Sequence, residues 1–413
     1  MKLLKIGGSI LLLVTLITTQ TRAQDVSGSV YSVYGIGDLK WKGSALNRVM
    51  GGTGIAVRDI YNLNTANPAA YTAIAPPVSK LFEFGGYSEN NTFRNSSSST
   101  NYQAGTISSL NYWFKFSPKF AGVAGIAPLS SSSYNVTSNQ AISAGASLIP
   151  VNYEGSGGFN QFYLGNSFQI IKNLSIGVNA SLILGSLNKK AITGANSFSG
   201  ALESNTKLFA QGANFDAGIQ YVFNVKQSQF TFGATYKTST KLNGYNQTVL
   251  TTLSSGSTRE TDKLSVNYTL PKQYGAGFSY MRKRIVLAAD VSFQEWAKAK
   301  LENGTITKDV FRYSFGGEYK GSLETSNYLK AISWRAGFHM QDYYIIVRNT
   351  QLSSWGYTIG AGLPLNGNFA TVNVNYSFTN FGTTTNGLVQ QESNKLSVDV
   401  IIRDIWGIRR KFD

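Results

Sequence analysis

The run IVLAADVSFQEW, residues 285–296, changes character at every step. Ile285, Leu287, Ala289, Val291 and Phe293 fall on one side of an extended chain, and Ala288, Asp290, Ser292 and Gln294 on the other. A period of two marks a strand whose faces meet different surroundings. Residues 174–184 repeat it, with Leu174, Ile176, Val178, Ala180, Leu182 and Leu184 against Ser175, Gly177, Asn179 and Ser181. So do Val372, Val374, Tyr376 and Phe378 against Thr371, Asn373, Asn375 and Ser377. A soluble sandwich also alternates, so length and connection rhythm must decide.

From Ser79 onward the pattern recurs in fourteen segments, an even number, most of them long enough to cross a bilayer at a tilt. Their connections alternate between tight and long. Ser117-Pro118-Lys119, Ile171-Lys172-Asn173 and Arg282-Lys283 are tight, whereas SENNTFRNSSSSTN from Ser88 and TNFGTTTNGLVQQES from Thr379 are long and polar. Short turns at one end and long loops at the other are the asymmetry of an outer-membrane barrel. Aromatic clusters at Tyr112–Phe116, Phe159–Tyr163, Trp296 and Trp355–Tyr357 suit interfacial girdles. The expected fold is all-β, a 14-stranded antiparallel transmembrane β-barrel over residues 76–404.

Composition agrees. Aromatic residues make up 13%, charged residues only 14%, and glycines number 42 against 8 prolines. Lys2 and Lys5 precede an apolar run from Ile10 to Ile17, with Ala23 at a cleavage point, so residues 1–23 read as a signal peptide. The run is too short for a membrane helix. With no cysteine, lipoprotein anchoring, disulfides and thiolate metal sites are excluded. Losing Lys2, Lys5 and Arg22 lowers the formal charge from +16 to +13. In an exported protein that excess points to anionic lipid headgroups of the outer membrane and not to nucleic acid.

Catalysis has little to work with. His339 is the only histidine, so histidine metal clusters are excluded, and no GxSxG elbow occurs. No enzymatic activity, metal or cofactor is expected. Glu83, Asp216, Asp290, Glu295 and Glu318 are scattered singly, as lumenal charges would be.

Between signal and barrel lies ALNRVMGGTGIAVRDIYNLNTANPAAY, residues 45–71, glycine-dense and poor in strand pattern. It reads as a plug: residues 24–75 would form a hatch inside the lumen, with Arg48, Arg58 and Asp59 paired to polar groups of the wall. Asn67 followed by Pro68 reads as an N-cap and first helical residue. An ordinary loop would have the same composition.

Taken together, this stretch, LPKQYGAGFSYMRKRIVLAADVSFQEWAK from Leu270, and WRAGFHMQDYYIIV with YTIGAGLPLNGNFATVNVNYSF resemble the FadL/TodX family of outer-membrane hydrophobic-compound transporters. The motifs at Tyr34 to Leu39, Asn47 to Gly52 and Trp406 to Lys411 resemble its Bacteroidota-type branch. The resemblance implies a hatch-gated barrel in the bacterial outer membrane. A hydrophobic molecule would bind at the outer mouth and leave sideways through a gap at a kinked third strand. Asn67, Pro68 and Ala69 match the hatch motif, and Gly122, Gly125 and Pro128 on the third strand are residue types that interrupt a ladder, or that form a simple bulge. The basic stretch IWGIRRKFD, residues 405–413, departs from the transporters and reads as a periplasmic tail.

Three functions fit these residues. The first is passive uptake of hydrophobic small molecules, fatty acid-like or aromatic. A non-transporting barrel subunit of a larger outer-membrane assembly, in secretion or insertion machinery, with outer-membrane or periplasmic protein partners, is the second. An adhesin or receptor using the Ser/Asn/Thr-rich loops is the third.

Overall fold

The computed structural model describes residues 28–141, 148–194, 201–301, 305–322, 327–365 and 369–404. The segments read as a signal peptide, residues 1–23, and as a basic tail, residues 405–413, lie outside these residues. The strands are β1 (Asp38–Leu39), β2 (Lys80–Arg94), β3 (Ser99–Ser117), β4 (Phe120–Ser131), β5 (Tyr134–Ala141), β6 (Leu148–Ile171), β7 (Leu174–Thr193), β8 (Leu202–Val225), β9 (Ser228–Lys237), β10 (Thr240–Thr252), β11 (Ser257–Glu260), β12 (Leu264–Leu270), β13 (Gln273–Arg282), β14 (Ile285–Gln294), β15 (Val310–Tyr319), β16 (Ser333–Val347), β17 (Thr350–Leu365), β18 (Ala370–Gly382) and β19 (Gln390–Asp404).

These build a closed antiparallel barrel of fourteen wall strands. Three of the fourteen are broken along their length, β4 continuing as β5, β9 as β10, and β11 and β12 as β13. The break between β12 and β13 falls at Pro271, which has no N–H to give a ladder. Closure is between β19 and β2, paired from Gln390↔Arg94 to Asp404↔Lys80. A closed barrel leaves no wall polar group without a partner in hydrocarbon, which is why an apolar outer face is tolerated at all. The barrel spans a bacterial outer membrane.

The alternation resolves into faces as read. Leu287, Val291 and Leu182 point outward and are exposed, whereas Asp290, Asn179 and Asn375 are buried in the lumen. Lysine at Val291 should therefore destabilise the barrel by about 2–4 kcal/mol if the site lies near the bilayer midplane. Equilibrium unfolding of Val291→Lys in lipid, beside Asn179→Lys, checks the register. A silent Val291→Lys with a disruptive Asn179→Lys would invert it.

The girdle assignment needs correction. Phe116 stacks on Phe120 at 4.7 Å near the tight-turn end, and Trp355 meets Phe378 at 5.7 Å towards the other. Phe159 and Trp296, however, are buried with Ile183, Tyr343, Tyr344 and Ile36 in an apolar cap. The wall strands on this side run past the membrane and fold over hatch residues, so aromatic residues near strand ends there pack inward. Tyr163 also points in, its hydroxyl donating to Asn111 Oδ1.

Candidate functional site

Residues 28–78 pack inside the barrel against its inner wall. Ser44 starts the helix Ala45–Val49 with a capping box closed by Asn47. Glu83 of β2 accepts from the Ala45 N–H at 3.1 Å, so a wall carboxylate sits at the helix's positive end. Gly51 follows the helix at φ +69, its Cα pressed so close to Phe338 that a Cβ would meet backbone at 2.7 Å. Only glycine fits there.

The hatch is then latched around the whole wall. Asp290 Oδ2 accepts from the Gly54 and Ile55 amides at 2.6 and 2.8 Å. Arg48 pairs with Asp399 of β19, Arg58 donates to Gln220 Oε1 at 2.9 Å, and Asp59 meets Lys320 at 2.7 Å. Burial alone would raise the Asp59 pKa, yet the Lys320 ammonium and the Tyr61 amide hold it well below the ordinary carboxylate range. The stabilisation is present above the unfolded value and is lost only as pH falls through the depressed one, so the latch survives mild acid. Lys320→Met would remove the buried carboxylate's direct ion-pair partner, leaving only the more distant Arg335 and Arg403, a loss on the order of 3 kcal/mol to the seated hatch. Limited proteolysis of reconstituted protein should then cut the hatch while the barrel stays intact; unchanged protection would dismiss the latch.

Asn67, Pro68 and Ala69 lie against β6, β7, β8 and β9, Ala69 accepting from Ser167 Oγ of β6 at 3.1 Å, and the helix they open reaches the third strand only through Tyr71, which packs with Ala121, Val123 and Ala127. The Asn67 side chain accepts from the Ala69 amide at 3.0 Å and donates to the Ile55 carbonyl at 2.7 Å, capping the 3₁₀ helix Pro68–Ala73. Gly177 and Gly218 of the wall receive this turn: a Cβ on Gly177 would lie 2.5 Å from the Pro68 carbonyl oxygen. That cradle was in the sequence, but nothing there distinguished those two glycines from the other forty.

Gly122 and Gly125 do not interrupt the third strand. Gly122 pairs with Phe114 and Asn166, and Gly125 with Asn111 and Tyr163. They make room instead, Gly122 for the Phe114 ring and Gly125 for Asn111 and the Tyr163 ring. Pro128 does sit at a discontinuity. The β3–β4 ladder ends at Leu110↔Ile126, and the β4–β6 register shifts between Pro128 and Ser130. A bulge at a residue without an N–H bends the strand.

Beyond that bend β4 turns its free edge to the hatch. Asp38 and Leu39 pair with Ser131 and Ser130, and the Lys40 amide donates to the Leu129 carbonyl at 2.9 Å. β5 pairs only with β6 among the described residues. Among the described residues the outer half of β3, from Ser109 to Ser99, is consequently paired on one side only, to β2. The wall is open between β3 and β4–β5, beginning about where lipid-facing side chains give way to polar ones. Ile107, 71% exposed, stands on its rim beside the bulged Ser108, and Ser109 Oγ accepts from Arg48 at 3.1 Å. Arg48 thus links the hatch to the gap's inner edge.

Beneath the apolar cap lie two cavities of about 290 and 140 Å³ that share Leu39, Lys40, Trp41 and Lys42, the smaller reaching β4 at Leu129. Their walls are mixed. Arg312 stacks over Trp41 at 4.8 Å, Lys42 sits 3.9 Å above the Tyr163 ring and 3.5 Å from Asp216, and His339 faces the larger space. The chamber suits an amphipathic guest better than a purely apolar one. Among the described residues no three His, Asp or Glu side chains come together as a metal site.

A family model described as BamG matches residues 5–413. Among solved structures, the Pseudomonas putida toluene transporter TodX superposes with a TM-score of 0.59 at 17% identity, covering 90% of this chain and 100% of that one. The Ralstonia pickettii toluene transporter TbuX gives 0.58 at 15%, covering 87% and 98%. A Pseudomonas aeruginosa FadL homologue gives 0.58 at 11%, covering 88% and 99%. No curated protein sequence matches. The chain belongs to the BamG family, and its fold is that of the FadL-type channels.

Proposed function

We infer that this barrel passes hydrophobic or amphipathic small molecules between the outer mouth and the bilayer through the side gap between β3 and β4, with the hatch as its gate. The observation that carries this is the divided loyalty of β4, paired to β3 up to Ile126 and to the hatch from Leu129 onward. The inner rim of this opening reaches the lipid-facing band at Leu110 and Ile126, so an apolar molecule leaving by it meets the edge of the lipid layer from the side. The fold's neighbours support the same reading, since two of them are toluene transporters. Proteoliposomes should take up labelled long-chain fatty acid or a monoaromatic hydrocarbon faster than empty liposomes, and equal rates across both classes would remove the proposal.

A second reading is favoured by two particular observations. The chamber beneath the apolar cap is lined by Lys40, Lys42, Arg312 and Asp216 instead of a continuous greasy surface, and the family matched along nearly the whole chain is BamG. Under this reading the barrel is a subunit of an outer-membrane assembly, and the unpaired edge of β3 is a place where an extended segment of another chain could add by strand pairing. Mild-detergent native gels from outer membranes distinguish the two: a stoichiometric complex with other barrel proteins supports the subunit, and a free monomer supports the gate.

A further inference from the structure

The short-turn end of the barrel carries a charge pattern that neither function uses. All four of its two-residue turns contain a lysine: Pro118-Lys119, Lys172-Asn173, Lys226-Gln227 and Lys283-Arg284. Lys119, Lys172, Lys226 and Lys283 are exposed, as are Arg282 and Lys330, and none of these six makes an ion pair among the described residues. Among the described residues, acids at this end are already engaged or at the seam: Asp59 with Lys320, Glu318 with Arg335, and Asp404 opposite Lys80. The opposite end is mixed. There Lys190 lies between Glu154 and Glu203, Arg94 meets Glu392 and Lys298 meets Glu295, while Arg259, Lys263, Lys308 and Arg348 are exposed without an ion pair among the described residues.

Backbone geometry makes the lysines harder to dismiss as filler. Lys226 and Lys283 both have φ +54, a left-handed conformation that asparagine or glycine adopts with less strain. Keeping lysine there gives up turn stability and retains a charge. Each tip also adjoins lipid-facing side chains, Phe116 beside Lys119, Ile171 beside Lys172, Val225 beside Lys226 and Ile285 beside Lys283, all of them exposed. A lysine one residue past the apolar band extends its ammonium to the phosphate layer of the leaflet.

We propose that this rim is a binding site for phosphate-bearing anionic phospholipid headgroups in the periplasm-facing leaflet. The charges run through five successive hairpins, from β3–β4 to β15–β16, where Lys330 continues the series. A docking protein would touch one sector, whereas a surrounding lipid layer meets every turn. The ring fixes the barrel's depth and holds a selected lipid shell around the end where the hatch meets the periplasm.

The test is native mass spectrometry of protein released from nanodiscs containing phosphatidylglycerol and phosphatidylcholine. Wild type should retain phosphatidylglycerol in excess over its share of the nanodisc, and Lys119→Gln/Lys172→Gln/Lys226→Gln/Lys283→Gln should lower that enrichment by about threefold or more. The matching four arginine substitutions should preserve it. Lys189→Gln/Lys190→Gln at the other end should leave it unchanged. Wild type without enrichment, or a glutamine variant that keeps it, overturns the proposal. So does loss of a native-gel complex in the glutamine variant with lipid retention intact, which would assign the ring to an acidic protein. Heat-modifiable gel migration shows in each case that the barrel is folded.

Discussion

A barrel lacking residues 28–78 should insert, fold and conduct ions in large discrete steps where the intact protein is almost silent. The expectation follows from what the hatch leaves behind. The lumen wall presents Glu83, Asn111, Asn179, Asp290, Arg312, Asn373 and Asp399, all buried now against hatch groups or each other. Removing the hatch exposes them to water, which solvates them and costs far less than leaving them unpaired in a dry interior. The ladder closing the wall at β19–β2 needs no hatch residue. Fourteen strands enclose more than side chains alone can fill, so the vacated lumen becomes an aqueous path. Planar-bilayer recordings read the result directly. A variant that shows the heat-modifiable migration of a folded barrel yet adds no conductance would mean that something other than the hatch blocks the lumen. A variant that fails to fold would instead make the hatch part of the folding nucleus, and Lys320→Met then becomes the milder probe of the same seal.

How far the sequence carried depended on whether a feature was local. Alternation with a period of two is written into consecutive residues, so the faces of β7, β14 and β18 could be read directly. Among the singly placed acids read as lumenal, Glu83 and Asp290 hold the hatch, whereas Glu295 lies past the end of β14 and pairs with the exposed Lys298. Which part of the wall each one faces was not legible, because azimuth around a barrel depends on the stagger of every strand between. For that reason Asn67–Ala69 could be recognised as a capped turn but not placed against β7–β9. Glycine is ambiguous for another reason. The same residue signals a break in the ladder or a close approach within it, and Gly122 and Gly125 are the second kind. Proline is less ambiguous, since the missing N–H is a fact of the ladder itself, and Pro128 was the one third-strand residue that marks the gap. The free edge of β3 has no compositional signature at all: STNYQAGTI reads as an ordinary strand until its partner turns away.

Fastening the hatch to β4 should abolish uptake, and releasing it should restore uptake. Leu39 and Ser130 face each other across the short β1–β4 ladder. The neighbouring pair, Lys40 and Leu129, is hydrogen-bonded, so Leu39 and Ser130 form the wide-spaced, non-hydrogen-bonded pair whose Cα atoms approach to about 4.5 Å. That separation suits a disulfide. Since the chain has no cysteine, Leu39→Cys/Ser130→Cys creates one defined bond and no mispairing. If the gate works by moving the hatch off β4, the oxidised variant should bring labelled fatty acid into liposomes at the empty-liposome rate. A reductant should return it towards wild type in the same preparation. The paired reading excludes misfolding, because one sample supplies both states. Uptake that is indifferent to the bond would mean that molecules cross the gap with the hatch in place, through the opening already present beside Ile107. Absence of uptake from the wild type, across fatty acids and aromatic hydrocarbons alike, would leave the gap without traffic. The unpaired edge of β3 would then be best explained as a contact for another chain, and the barrel as a subunit of an outer-membrane assembly.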